Sequence, residues 1–382
     1  MRYKPAIVVV AYNRPRSLER ILYSLSKTQK INDVKLIISI DNNEPENLNV
    51  KEIAEKYNWP FGKKEVIYRK SRMGLRKHIL ECGDLSQKYG SVIVLEDDLF
   101  VSPYFYDYAV QALEFYENDQ HINGISLYRY PYEDMTDLPF IPISDDSDVY
   151  FMQFPSSLGQ AWSSNHWNNF REWLSKEPVL ESIRISPQAL SWPETSWKKY
   201  FNAFLVDSDT YFVFPRFSLT TNFNDPGTHK EMLINHKGQV SLLLTDRQYK
   251  FIEFSASNTK YDAHFELASD TVKKFCPELG EYDFEMDLYG LKLPDLIDTP
   301  YVITSKPSKK KIMGFKRALK PHDLNVLMNL KGEELVLCKK EDLLPFKNKY
   351  KKTLTDYLYY YDNYLNGIKF SVYYFLFRNR LI

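Results

Sequence analysis

"SVIVLEDDLFVSPYFYDY", residues 91–108, runs apolar and unbroken over residues 92–95 and then sets Glu96, Asp97 and Asp98 side by side. A short continuous apolar run reads as a strand covered on both faces. Adjacent carboxylates repel, and keeping them close together is costly unless a cation or a proton offsets the charge. One reading of the triplet is a solvated loop of acids after a strand. The other is a site for a hard divalent ion, Mn²⁺ or Mg²⁺, which takes one or two carboxylate oxygens and fills its other positions with water and substrate phosphates. The strand-end position and the nearby basic groups favour the ion.

Working outward, residues 6–11 form another continuous apolar run, and Pro15 opens a helix with Leu18, Ile21, Leu22 and Leu25 at helical spacing. Residues 35–40 read as the next strand and end on Asp41-Asn42-Asn43. Residues 51–57 read as a helix, 65–69 as a third strand, 75–88 as a helix and 91–95 as a fourth strand. Strand and helix alternating at this length imply a doubly wound, mainly parallel α/β sheet with helices on both faces. Ligands bind such sheets at the carboxyl ends of the strands, where Asn13-Arg14, Asp41-Asn42 and the acidic triplet all fall.

The basic groups lie in "YRKSRMGLRKHI", residues 68–79. Arg69, Lys70, Arg72, Arg76, Lys77 and His78 surround Gly74, where the helix begins, and a helix N-terminus favours anions. These side chains are either an exposed basic helix face or, for one or two of them, contacts to phosphate.

Composition narrows the classes. The chain has 382 residues, 44% of them hydrophobic and 26% charged, as in an ordinary soluble protein. Cys82, Cys276 and Cys338 are few and scattered, which indicates neither a disulfide framework nor a cysteine metal cluster. Together with the absence of a signal-peptide pattern before residue 6, this sets a cytoplasmic expectation. "AYNRPRS" after the first strand contains no glycine, which argues against a dinucleotide fingerprint and against a glycine-rich phosphate loop. No nucleic-acid-binding module is recognisable. Residues 301–382 carry 17 Lys and Arg against 7 Asp and Glu, leaving 33 against 43 in the rest, so an acidic body is joined to a basic tail.

Beyond residue 120 the pattern is aromatic and less regular: a strand at 124–130, a Trp-rich helix at 162–173, a Trp-framed turn into helix at 191–200, and a turn-rich loop "NFNDPGTH" at 222–229. Trp162, Trp167, Trp192 and Trp197 either pack in the core or stack on sugar faces. The last stretch, "YLYYYDNYLNGIKFSVYYFLFRNRLI", follows a lysine-rich segment. Cationic charge mixed with Tyr and Phe suits a membrane interface, and equally a helical tail packed on its own domain or on a second subunit.

"VVVAYNRP", "IISIDNN", "GLRKHI" and "VIVLEDDLFVSPYF" resemble the nucleotide-sugar-binding half of GT-A glycosyltransferases such as N-acetylglucosaminyltransferase I and bacterial polysaccharide transferases. The resemblance covers about the first 130 residues, with the acidic triplet as the family's variant DXD motif. It implies that Asp98 ligates Mn²⁺ or Mg²⁺, that Asp97 contacts the ribose or its water shell, and that Arg14, Asp41 and His78 touch the nucleotide, favouring UDP. "GQAWSSNHW" and "NFNDPGTH" are similar to acceptor-side and donor-covering segments of bacterial sugar transferases. In the related enzymes an acid within a Trp-framed segment serves as catalytic base, which implies Glu194 of "SWPETSWKKYF", although Pro193-Glu194 stands where paired acids are more usual, and a late histidine implies His229 near the metal or diphosphate.

The implied reaction is inverting transfer of a sugar, hexosyl or N-acetylhexosaminyl, from a nucleotide-sugar donor to a glycan or lipid-linked glycan acceptor in surface polysaccharide synthesis. The implied organisation is a nucleotide-sugar-binding half at 1–130, an acceptor-binding half at 131–300, and a basic helical extension at 301–382 that is peripheral to a membrane or oligomerising. A catalytically inactive nucleotide-sugar- or glycan-binding assembly protein is the alternative.

Overall fold

The computed structural model describes residues 3–43, 47–223, 225, 238–344, 372, 375 and 376. The described part of the chain divides into two compact units, one of residues 1–130 and 142–274 and the other of 131–141 and 275–382.

In the first unit the expected alternation is present: β1 (Ala6–Ala11), α1 (Pro15–Leu25), β2 (Leu36–Ile40), α2 (Leu48–Lys56), β3 (Lys64–Tyr68), α3 (Leu75–Tyr89) and β4 (Ser91–Glu96). β5 (Leu99–Val101), α4 (Phe105–Phe115), β6 (Ile122–Ser126), β7 (Val149–Met152) and β8 (Gln160–Ser163) follow. Next come α5 (Ser164–Ser175), α6 (Pro187–Ser191), α7 (Trp197–Asp207), β9 (Tyr211–Pro215), β10 (Thr220–Asn222), β11 (Lys260–Tyr261) and α8 (Ser269–Phe275). The nine-stranded sheet has the order β11-β7-β9-β6-β8-β4-β1-β2-β3. Its β4-β1-β2-β3 half is parallel throughout, while β8 runs antiparallel to both β4 and β6.

The pleat sorts each strand to two faces. Ile7, Val9 and Ala11 of β1, with Ile38 and Leu95, pack in one core with Leu18, Ile21, Leu22 and Leu25 of α1 and the apolar side of α4. The four α1 residues are essentially fully buried, and each such burial contributes about 1.5–3 kcal/mol.

The helix expected at 162–173 begins later. Trp162 pairs with Val92 as part of β8, and Ser163 caps α5 by accepting from the His166 amide at 3.2 Å. Period alone cannot separate a short buried strand from a buried helix turn. Trp162, Trp167 and Trp197 are buried in an aromatic cluster with Phe170 and Phe201, so packing is their role. Gly83 of α3 lies flat against the Trp167 ring, where a Cβ would come within 2.1 Å of a ring carbon. Trp192 is half-buried, and Lys198 stands 4.9 Å over its ring.

The second unit holds a four-stranded sheet of order β12-β13-β15-β14, with β12 (Phe284–Asp287), β13 (Tyr301–Thr304), β14 (Met313–Phe315) and β15 (Leu335–Lys339), and the short α9 (Asp323–Leu327). Residues from 301 to 344 are therefore largely strand and turn, not the helical extension their composition suggests. β12 pairs in parallel with β13, so one sheet draws on residues either side of 300. Asp287 is buried there and accepts from Lys306 Nζ and Thr304 Oγ1, both at 2.9 Å, so part of the lysine-rich charge is neutralised internally. Lys309, Lys310 and Lys311 are exposed. Nearly all of the aromatic stretch proposed for a membrane interface lies outside the described residues. Among those described, no helix is long and apolar enough to cross a membrane.

Candidate active site

The carboxyl ends of β1, β2 and β4 open on a cavity of about 450 Å³. Its wall includes Val10, Tyr12, Arg14, Asp41, Arg72, Gly74, His78, Glu96, Asp97, Asp98, Thr195 and Asp225. Parallel pairing of β1 with β4 sets Val10 opposite Glu96, and the Asp97 amide donates to the Val10 carbonyl at 3.1 Å, which turns the acids in over β1.

Arg14, the residue before α1, donates through Nη1 to Asp98 Oδ2 at 3.0 Å and through Nη2 to Asp97 Oδ1. Each acid thus has one oxygen on the guanidinium. The other oxygens, Asp97 Oδ2 and Asp98 Oδ1, are buried and have no hydrogen-bond partner. Burial pushes the Asp97 carboxyl up to about 6, with Arg14 opposing and the Asp98 charge assisting. Two hard, buried oxygens lacking donors suit a divalent cation of the Mg²⁺ or Mn²⁺ kind, which needs few protein carboxylates when substrate phosphates complete its shell. Among the described residues no third acid, histidine or cysteine joins them as a metal-holding group.

Asp41 does something the sequence did not indicate. Its Oδ1 accepts from the amides of Asn42 and Met73, both at 2.8 Å, and its Oδ2 accepts from the Gly74 amide at 3.0 Å and from Arg72 Nη1 at 2.7 Å. Four donors fill the carboxylate and tie the end of β2 to the entry of α3. Gly74 holds that turn at φ 75°, a conformation without cost for glycine. No side chain caps α3, and Gly74 and Leu75 at its start line the cavity. Of the basic cluster, Arg72 stacks 3.6 Å over the Tyr12 ring on the cavity wall, and Arg76 lies 3.6 Å over the Tyr200 ring. Arg69 turns inward to Ser39 and Glu81.

His78 is buried, and its Nε2 lies 2.7 Å from Ser39 Oγ. Ser39 accepts from Arg69 Nε and Nη2 at 3.2 and 3.1 Å, so its own proton goes to the imidazole. His78 is then neutral with its proton on Nδ1. Burial, assisted by the Arg69 charge, depresses it to about 4. A histidine depressed in the folded state supports stability that is complete above its unfolded value of about 6.5 and is lost as pH falls through 4. Histidine ¹⁵N NMR should accordingly find His78 neutral at pH 5, in the Nδ1–H form; a charged imidazole at that pH would refute the Arg69–Ser39–His78 chain.

Asp225 was not singled out from the sequence beyond its place in "NFNDPGTH". β10 pairs antiparallel with β5, and the Phe223 amide donates to the Asp98 carbonyl at 3.0 Å, which carries Asp225 to the cavity. There it accepts from Ser17 Oγ at 2.7 Å and from Arg20. Glu194 is different: Thr195 lines the cavity, while the Glu194 side chain is 71% exposed and accepts from Lys199 Nζ at 2.6 Å and from the Tyr200 hydroxyl. Those hydrogen bonds hold its carboxyl below the usual range. His229 lies outside the described residues.

A doubly wound sheet whose strand-end acids share a cavity with the start of a helix fits the GT-A arrangement that the sequence resembles. Residues 6–154 match the family model described as Glycosyl transferase family 2. Solved structures it is similar to include the mannosyltransferase PcManGT from Pyrobaculum calidifontis in complex with GDP-Man and Mn²⁺, at 14% identity and TM-score 0.32, covering 45% of this chain and 47% of that one. S. aureus TarS 1-349 is similar at 11% identity and TM-score 0.36, covering 56% and 59%. GalNAc-T7 with UDP, GalNAc and Mn²⁺ is similar at 14% identity and TM-score 0.37, covering 56% and 43%. The chain thus spans about half the length of the structures it matches, and their ligands are their own. No curated protein sequence matches it.

Proposed function

We propose that this chain is a metal-dependent, inverting glycosyltransferase, taking a UDP-sugar as donor and a glycan or lipid-linked glycan as acceptor in surface polysaccharide synthesis. The observation that carries this reading is the pair of partnerless buried oxygens on Asp97 and Asp98, in a cavity that Arg72 and the open end of α3 also face. Uridine rests on the resemblance of Asp41 and His78 to nucleotide-contacting positions. Asp41 acts there by shaping the wall, since protein donors fill its oxygens.

The residues divide the work as follows. Asp98 would hold Mn²⁺ or Mg²⁺, with the unpartnered oxygen of Asp97 beside it as a second ligand in place of the ribose contact that the resemblance implies; the ion would neutralise charge on the leaving diphosphate. Arg72 and the α3 amides take the remaining phosphate charge. The acceptor hydroxyl oxygen forms a bond to the anomeric carbon from the face opposite the diphosphate. The bond from that carbon to the diphosphate oxygen breaks with its electron pair, and the hydroxyl proton passes to a carboxylate. Glu194, beside Thr195 at the cavity rim, is the carboxylate we assign to this step. It must leave Lys199 and Tyr200 to act as a base.

Release of nucleoside diphosphate from UDP-, GDP- and dTDP-sugars, with Mn²⁺ and with chelator, tests the reading. Metal-dependent release from the UDP-sugar alone is the expected result; release unaffected by chelator refutes metal dependence. Glu194→Gln should leave nucleotide binding unchanged and lower transfer by roughly 10²-fold or more. A loss below about threefold would move the base to Glu96 or Asp225 on the cavity wall.

A further inference from the structure

The guanidinium of Arg14 sits on the same two carboxylates that the proposed metal needs. Its two nitrogens reach one oxygen of each acid, and the three side chains are mostly buried together, at 23%, 2% and 14% exposure. Arg20 is instead committed to Asp225 and stacks on the Phe223 ring at 3.9 Å. With Arg14 in place the two carboxylates keep a net charge of one negative and two oxygens without partners. A divalent ion added to this arrangement meets a fixed positive charge beside it, in surroundings that screen poorly. Its affinity is lowered by that repulsion until another anion arrives to share the cations.

We propose that Arg14 couples metal binding to diphosphate binding: it competes with the divalent ion for Asp97 and Asp98 in the free protein, and yields when a diphosphate brings negative charge into the cavity. The free protein then binds the metal weakly, and metal and nucleotide bind cooperatively, each raising the affinity of the other by the same factor. This rests on the metal-dependent reading above, and Arg14 acts here as a positioning residue, through the carboxylates.

The test is Mn²⁺ binding followed by the EPR signal of the free ion, with the full chain and no sugar donor. Wild type, Arg14→Met, Arg14→Lys and Arg14→Met combined with Asp98→Asn are titrated with Mn²⁺ alone, then with UDP, GDP or dTDP present. Wild type should bind Mn²⁺ at least about tenfold more tightly with its nucleotide than without. Arg14→Met should bind Mn²⁺ alone at least about tenfold more tightly than wild type and lose most of the nucleotide enhancement. Arg14→Lys, which keeps one charge but not the fork, should fall between them, and adding Asp98→Asn should remove the gain.

Circular dichroism identifies a variant that has not folded. Arg14→Lys then carries the comparison, because weaker charge sharing still tightens Mn²⁺ relative to wild type. If neither Arg14 variant binds Mn²⁺ alone more tightly while nucleotide enhancement persists, Arg14 is a structural clasp and the coupling is refuted, with the metal site intact. If no variant binds Mn²⁺ with any nucleotide, the coupling and the metal-dependent reading fall together.

Discussion

Asp98→Asn is expected to lower metal-dependent release of nucleoside diphosphate by on the order of 10³-fold, the range seen when one preorganised electrostatic contact to developing charge is removed. The substitution keeps the shape of the side chain and removes its charge. In the folded protein Asp98 gives Oδ2 to Arg14 and leaves Oδ1 buried with no partner. An amide there offers one neutral oxygen and a nitrogen that repels a cation, so the ion loses a ligand it has little means of replacing. Arg14 retains Asp97, so the fold should survive, and a thermal melt close to that of wild type would separate lost chemistry from lost structure. Release that stays within about threefold of wild type would place the metal elsewhere or make it unnecessary.

Asp41→Ala should destabilise the protein by on the order of 3–5 kcal/mol, as for removal of one member of a buried, hydrogen-bonded charge network. Three backbone amides and Arg72 lose their acceptor at once. The amides of Met73 and Gly74 belong to the turn that starts α3, so the cavity wall should loosen with the fold. The urea midpoint reports the first effect, and loss of the thermal shift given by UDP with Mn²⁺ reports the second. Asp41→Asn retains one acceptor oxygen and should lie between the two. A cost below about 1 kcal/mol would mean that water replaces the carboxylate and that Asp41 is not what holds the turn.

The two predictions differ in what made them possible. Asp98 was marked by its neighbours in sequence, an apolar strand followed by acids, and this pattern is local. The first four strands and their helices were legible for the same reason, since continuous apolar runs and three-to-four-residue spacing need no knowledge of distant partners. The role of Asp41 was hidden because three of its four donors come from residues 72–74, brought to it by the β2–β3 pairing and the turn into α3. Trp162 was read as helical because a buried strand of four residues and a buried helix turn have the same composition.

By itself, then, the sequence determined the parallel β1-to-β4 framework and the placing of Arg14, Asp41 and the acidic triplet on one edge of it, since alternating strands and helices admit little else. The tertiary structure alone decided how those groups are used. Arg14 is closed onto Asp97 and Asp98, Asp225 is carried in by the pairing of β10 with β5, and Glu194 is turned to Lys199 and Tyr200 outside the cavity lining. Residues 301–339, within the stretch expected as a helical tail, likewise supply three strands of a sheet. Each of these depends on the register between segments far apart in the chain, and register is fixed by the packing of both partners, which neither segment encodes alone.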